Sequence, residues 1–437
     1  MKSQTPSAPT YGIHTLGCKA NQYDSQRIAE ALEALGYRMA GPLDVPGLII
    51  INTCTVTGTA DRKSRQLVRR AVRRHPEARV FVTGCCATLS GGTMGSIEGV
   101  SGAYGRLDRA TMIEAIAGGG PVPPAARLEG DFGISAFRGR SRAFVKIQDG
   151  CNSSCTYCIV PRARGRSRSR PLQDVVREAQ RLTDAGLAEL VLTGIHLGSY
   201  GRDLGRDVDL ARAVRAVAAV PGVGRVRLSS IEPLELTDPL LDAMAECPQV
   251  CPHLHLPLQS GDDGVLRRMG RPYTARQFLQ AVGRARERLD RPAVTGDVIV
   301  GFPGETESEF ENTVGACREA GFSRMHVFPF SPRPGTPAAA MHGQVPGAVV
   351  KGRLARLEEL AEEMACAWAQ GFVGREVRVL FERKGPGGLL EGYTERYVHL
   401  RAPGPDALAG RIVRVRCVRA EGRGLVGEEG ASAISDC

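Results

Sequence analysis

The order of apolar and polar positions divides the chain into two alternating stretches and a terminal stretch of a different kind. In the first, Ile28, Leu32 and Leu35 recur at i, i+4 and i+7 before Gly36, which predicts an amphipathic helix stopped by a glycine. GLIIIN at 47–52 is a continuous apolar run of the sort found in a strand buried on both faces; a helical pattern over 61–74 and the run RVFVTG follow it. With YGIHTLG in front, the order strand, helix, strand, helix, strand predicts a parallel α/β sheet over 11–116, behind a disordered leader at 1–10. Residues 117–142, starting AGGGPVPPAARLEG, show no period and read as a linker.

From residue 143 to 346, AFVKIQ, ELVLTG, RVRLSS, HLHLPL, AVTGDVIVGF and SRMHVFPF alternate with amphipathic helical patterns. Six β/α units in succession predict a partial TIM-type barrel, so the fold class is α/β. A long Ala-, Leu- and Glu-rich helix is expected at 347–371. Over 372–437 the pattern changes to short β runs separated by Gly and Pro, which predicts a small β-barrel and a tail.

Composition narrows the class. The 437 residues suggest two to four domains; 42% are hydrophobic and 24% charged, and no apolar run approaches the ~20 residues of a membrane span. The opening MKSQTPSAPT has no apolar h-region, so the expected location is the cytoplasm. A net charge of +10, from 57 Lys and Arg against 47 Asp and Glu, favours an anionic partner, nucleic acid first. Thirteen cysteines in a reducing compartment point to metal or redox chemistry rather than disulfides.

The cysteine positions carry the chemistry. Cys151, Cys155 and Cys158 lie within eight residues, directly after the strand AFVKIQDG, with no fourth His or Cys nearby. Three thiolates on a four-iron cubane leave one iron open for a substrate or cofactor, whereas a structural zinc loop, the alternative, needs a fourth ligand. Cys18, Cys54 and Cys85 each follow a strand-like run, and in a parallel sheet such ends share one edge. They are candidates for a second cluster, although each taken singly also suits a small buried residue. Cys247, Cys251, Cys317, Cys366 and Cys417 read as packing residues, and Cys437 as a free thiol on the tail.

LGCKAN around Cys18, NTCTVT around Cys54, VTGC at Cys85, GCNSSCTYCIVPRARG, LPLQSG, DVIVGFPGET and FPFSPRPGTPA together resemble the radical S-adenosylmethionine methylthiotransferase family, from about Tyr11 to the terminal β domain. The resemblance implies an amino-terminal domain with an auxiliary 4Fe–4S cluster on Cys18, Cys54 and Cys85, a radical barrel with a second 4Fe–4S cluster on Cys151, Cys155 and Cys158, and a TRAM β-barrel that binds RNA. Cys86 departs from the family, which usually has an aromatic residue there; Cys85 or Cys86 stays open, with the Gly-Cys pair favouring Cys85. The implied reaction uses two S-adenosylmethionine molecules, one to methylate a sulfide on the auxiliary cluster and one cleaved to a deoxyadenosyl radical that activates the substrate carbon. LTGIHLGSYG, RLSSIEP and RGRSRSR look most like the enzymes acting on N6-threonylcarbamoyladenosine beside the tRNA anticodon. The rivals are the enzymes for isopentenyladenosine or for a ribosomal-protein aspartate, and a non-catalytic iron–sulfur RNA-binding protein, against which LPLQSG and GFPGET count. Expected partners are tRNA and an electron donor such as flavodoxin or ferredoxin, with no membrane and no DNA.

For the cofactor pocket, Tyr157 resembles the aromatic position near the adenine. Thr193 and Gly194 close ELVLTG, and Glu232, Gln259 and Asp297 are expected at further barrel mouths, or else as strand-end caps. Arg162, Arg164, Arg166, Arg168 and Arg170 alternate, so an extended segment would align all five for phosphate contacts. In the helix at 61–74, seven of fourteen residues are Lys or Arg, either a second phosphate surface or a solvated face. Arg414 and Arg416 alternate with Val413, Val415 and Cys417, which predicts one basic and one apolar strand face for RNA.

Overall fold

The computed structural model describes residues 8–128, 133–428 and 432–433, so most of the expected leader and Cys437 lie outside the described residues. Two compact units are present. The first runs to Ile134 and takes in Gly150–Asn152 and Cys158–Arg166; the second takes Ser135–Asp149, Ser153–Tyr157 and the chain from Ser167 onward.

The first unit is a parallel sheet of β1 (Thr10–Thr15), β2 (Arg38–Met39), β3 (Leu48–Thr53), β4 (Arg79–Gly84) and β5 (Val100–Ala103), in the order β2-β1-β3-β4-β5. β3 is central and wholly buried: Leu48 and Ile50 pack with Tyr11, Ile28 and Leu32 on one face, Ile49 and Ile51 with Val68, Val80 and Val82 on the other. Each such side chain contributes about 1.5–3 kcal/mol on leaving water, which fixes the strand at the middle. Sheet pairing begins before the predicted Tyr11, since Thr10 opens β1 and the Pro9 carbonyl accepts from Arg38 N–H. The expected linker is partly packed: Ala126 is buried with Tyr11 and Ile28, and Ile134 and Phe137 are buried further on. Isolated apolar residues in irregular backbone have no period to betray them.

In the second unit, β6 (Arg142–Lys146) leads into a short antiparallel pair, β7 (Gln148–Asp149) with β8 (Arg168–Ser169). β9 (Glu189–Thr193) and β10 (Arg225–Leu228) join β6 in one parallel sheet, and β11 (His253–His255), β12 (Ala293–Val300) and β13 (Arg324–Pro329) form another. Parallel bridges Val226–Val250 and Ser230–His255 link the two into one six-stranded curved sheet, and among the described residues no pairing joins β6 to β13. It is an open barrel, and the helix Gly347–Gln370 lies along β13.

The terminal β-barrel closes. β14 (Glu376–Lys384) pairs with β15 (Leu390–Thr394), β15 with β16 (His399–Ala402), β16 with β18 (Gly424–Gly427), and β17 (Ile412–Glu421) pairs with both β18 and β14, while β19 (Ser432–Ala433) adds to β17. It is seated against the starts of β6, β9 and β10. There the buried Glu189 accepts from Arg227 at 2.8 Å and Arg225 at 3.1 Å, with Arg142 at 3.7 Å. The same arginines donate to carbonyls of the small barrel: Arg225 to Arg378 at 2.8 Å, Arg227 to Glu395 at 2.9 Å.

Candidate functional site

In the first unit the parallel register brings three strand ends to one edge, because β1, β3 and β4 are neighbours and Cys18, Cys54 and Cys85 each follow one of them. Two glycines permit the approach. Gly17 has φ +100° and a β-carbon there would stand 2.9 Å from Cys54 Sγ; Gly84 has φ +98° and its β-carbon would meet Asn52 Oδ1 at 2.4 Å. Burial pushes the Cys54 thiol up to about 11, and the neighbouring Cys18 and Cys85 push the same way while the Val56 N–H opposes them. Burial also raises Cys85, against the pull of Arg164. The three thiols therefore sense one another. Cys86 turns away, bonding Ser90 Oγ at 3.5 Å and packing among Ile49, Val68 and Val82.

Among the described residues no three His, Cys, Asp or Glu side chains converge on a single-ion site. A four-iron cubane asks for something else, three thiolates standing apart around a body with one iron left open, and three thiols without a fourth fit it. The surrounding shell holds them in place. Asn21 Nδ2 donates to Leu16 O at 2.8 Å and Thr53 O at 3.0 Å, stitching the ends of β1 and β3, and Ser64 Oγ donates to Cys54 O at 3.0 Å. These residues were not singled out in the sequence, though Asn21 and Asn52 stand inside the LGCKAN and NTC motifs, where a polar residue beside a buried thiol is the available signal.

The five alternating arginines do not form one row. The chain folds into the short helix Val160–Arg164 and then β8, so the extended geometry that would align them is absent. Arg164 is buried, donates to Asn21 Oδ1, stands 3.5 Å from Asp24 Oδ2 and faces Cys85. Arg170 is buried too, donating to Lys146 O at 3.0 Å and pairing with Glu178. Arg162, Arg166 and Arg168 are exposed, as are Arg414 and Arg416, whose strand does alternate with buried Val413, Val415 and Cys417.

In the second unit Cys155 and Glu232 are brought together by a residue not singled out in the sequence. Arg271 Nη1 donates to Cys155 Sγ at 3.2 Å, Nη2 pairs with Glu232, and Nε reaches Tyr273 Oη at 3.1 Å. Burial pushes the Glu232 carboxyl up while Arg271 opposes it. Tyr157 packs edge-on against Phe302, with ring centroids 6.4 Å apart. Thr193 is buried at the end of β9, and a β-carbon on Gly194 would stand 2.8 Å from Gln148 Oε1, itself bonded to His196 N–H at 2.8 Å. Gln259 sits at φ 66°, left-handed for a non-glycine, and its N–H donates to Asp297 O at 2.8 Å. Such strain gathers at ligand sites. Asp297 lies within β12 rather than at its end, with its carboxylate 3.1 Å from His255 Nε2. Of the cysteines read as packing, Cys251, Cys317 and Cys417 are buried, but Cys247 and Cys366 are only half-buried.

Residues 145–317 match the model of the radical SAM superfamily, and residues 10–102 that of the uncharacterized protein family UPF0004. The chain is 40% identical to the threonylcarbamoyladenosine tRNA methylthiotransferase of Bacillus subtilis, covering 94% of each chain. It is 37% identical to the enzyme of the same name from Thermotoga maritima, over 94% of this chain and 96% of that one. The tRNA-2-methylthio-N(6)-dimethylallyladenosine synthase of Acidothermus cellulolyticus is 38% identical over 97% of this chain and 89% of its own. A solved radical S-adenosylmethionine methyltransferase from Kitasatospora setae, with cobalamin and a 4Fe–4S cluster bound, shares the fold at a TM-score of 0.56 and 17% identity, covering 76% of this chain and 77% of that one.

Proposed function

The chain belongs to the radical S-adenosylmethionine methylthiotransferase family, and we propose that it converts N6-threonylcarbamoyladenosine beside the tRNA anticodon to its 2-methylthio derivative. The observation that carries this reading is the 40% identity to the Bacillus subtilis enzyme across 94% of both chains. The family works with S-adenosylmethionine and two 4Fe–4S clusters; the cluster at the radical site would supply the electron for cleavage, and the auxiliary cluster would hold the sulfide that is methylated before transfer.

The chain's own residues have the following parts. Cys151, Cys155 and Cys158 are the thiolates of the radical site, and Cys18, Cys54 and Cys85 those of the auxiliary site. Arg271 holds charge beside Cys155 and orients Glu232, which with Tyr157, Thr193, Gly194, Gln259 and Asp297 lines the S-adenosylmethionine pocket. Exposed Arg162, Arg166, Arg168, Arg414 and Arg416 supply phosphate contacts. No helix among the described residues is long and apolar enough to cross a membrane, and the reading places the enzyme in the cytoplasm with its tRNA and a flavodoxin- or ferredoxin-type donor.

The test incubates reduced, cluster-loaded protein with tRNA carrying threonylcarbamoyladenosine, tRNA carrying isopentenyladenosine, and the ribosomal protein, each analysed by mass. Methylthio transfer to the first is expected. Transfer only to either of the others would overturn the substrate and leave the reaction type, and failure to cleave S-adenosylmethionine would favour the non-catalytic reading.

A further inference from the structure

One surface of the first unit has no part in the site described above. The helix Gly58–Arg74 begins four residues past Cys54 and is tied to it, since Ser64 Oγ exchanges hydrogen bonds with the Cys54 N–H and carbonyl at 3.2 and 3.0 Å. Val68 and Ala71 bury its inner stripe. Outside, Arg62, Arg69 and Arg73 fall at i, i+7 and i+11, and Lys63, Arg70 and Arg74 repeat that spacing one position on. At 1.5 Å per residue each row extends about 16 Å along the helix. All six side chains are exposed, and among the described residues none of the six forms an ion pair.

A groove of about 1030 Å³ lies beside these rows. Lys63, Arg69, Arg70 and Arg73 line it, Glu98 is the single carboxylate among its lining residues, and its lining reaches Leu16, two residues before Cys18. Cations in rows, five of the six guanidinium groups and none held in an ion pair among the described residues, are suited to the evenly spaced oxyanions of a nucleic-acid backbone, which guanidinium groups can grip bidentately. The groove's apolar residues, Leu16, Leu67, Val72 and Ile97, are half-buried, so what stands out to meet a partner is the row of cations, and none of the large exposed hydrophobic residues lies on this helix.

We propose that this groove is a second RNA-binding surface, which takes the sugar–phosphate backbone of the tRNA substrate. The inference rests on the tRNA reading above. It adds a phosphate grip on the helix that carries Ser64 and is tied through that side chain to Cys54.

The test uses the full-length, cluster-loaded protein and the triple variant Arg62→Gln/Arg69→Gln/Arg73→Gln, with iron content and thermal midpoint as folding controls. Dissociation constants for the tRNA are measured across a salt series. The variant should bind about tenfold or more weakly at low salt, raise KM for tRNA, and flatten the slope of log affinity against log salt by about two to three, at roughly 0.7–0.9 for each phosphate that is no longer neutralised. Lys63→Gln/Arg70→Gln/Arg74→Gln is the independent repeat and should move both quantities the same way. Unchanged affinity and slope in both variants, while the wild type binds and modifies tRNA, would overturn the proposal. So would normal RNA binding with turnover abolished only when a protein reductant replaces a chemical one, since the groove would then serve the electron donor. If the wild type itself neither binds nor modifies tRNA, it is the substrate reading that fails.

Discussion

At the scale of single residues, Arg164 is a buried cation facing Cys85 at the cysteine edge of the first unit. Five arginines at alternate positions look like one basic edge, but that inference assumes an extended backbone, and Pro161 opens a helical turn that rotates Arg164 inward. Its guanidinium ends against Asn21, Asp24 and Cys85, with Arg106 donating to its carbonyl at 2.7 Å. On the proposed assignment of Cys85 to the auxiliary cluster, this buried cation balances thiolate charge. Arg164→Gln should therefore lose the auxiliary cluster, lowering iron from about eight to about four atoms per chain, and Arg164→Lys should recover part of it. Iron analysis with electron paramagnetic resonance decides this. Full iron content with weaker RNA binding would instead return Arg164 to the phosphate contacts. Arg271 was illegible for a related reason: it is 116 positions from Cys155, and nothing local marks it as a partner.

At the scale of elements, the convergence of Cys18, Cys54 and Cys85 was legible because parallel strands share an edge and because each cysteine follows an apolar run. The two-residue strands β2, β7 and β8 were not, since they are too short to show an alternation and owe their pairing to neighbours already in place. The glycines ahead of Cys18 and Cys85 are the other readable sign. Gly84→Ala would place its β-carbon within 2.4–2.6 Å of Asn52 Oδ1 and the Thr53 backbone, at a left-handed φ of +98°. It should cost on the order of 1–3 kcal/mol and displace Cys85, so both the thermal midpoint and auxiliary iron occupancy should fall. Gly36→Ala is the comparison, because at φ +87° it carries the backbone cost but meets no atom within 4 Å. Equal effects of the two would mean that close packing at the thiol edge is not what Gly84 provides.

At the scale of the whole molecule, the order of a parallel sheet, an open six-stranded barrel and a small closed barrel followed from periodicity, yet nothing in periodicity says that the small barrel is a seat for buried charge. Arg225 and Arg227 alternate in β10 and so point the same way, towards Glu189, and their Nη groups also donate to carbonyls of Arg378, Tyr393, Thr394 and Glu395, while Arg225 Nε is buried without a partner among the described residues. Arg227 also lies 4.7 Å over the Tyr397 ring. Cutting the chain before residue 372 would strip these partners from two buried arginines, so truncation is a poor probe of RNA binding, and Arg414→Gln/Arg416→Gln should reduce salt-sensitive tRNA affinity without that damage. Glu189 is the keystone: burial alone would raise its carboxyl, but Arg227, Arg225 and Arg142 hold it far below the usual value of 4.5. A carboxylate with a depressed folded value stabilises the protein fully above its unfolded value, and that stability is lost as pH falls, because the unfolded chain then binds a proton the native state refuses. Glu189→Gln leaves three arginines around a neutral amide and should destabilise the second unit by about 3–5 kcal/mol at pH 7, the range for breaking a buried pair. The gap between wild type and variant should narrow as pH drops below about 4.5, and chemical denaturation at a series of pH values measures it. A gap that stays constant through that window would show that Glu189 contributes through packing rather than through its charge.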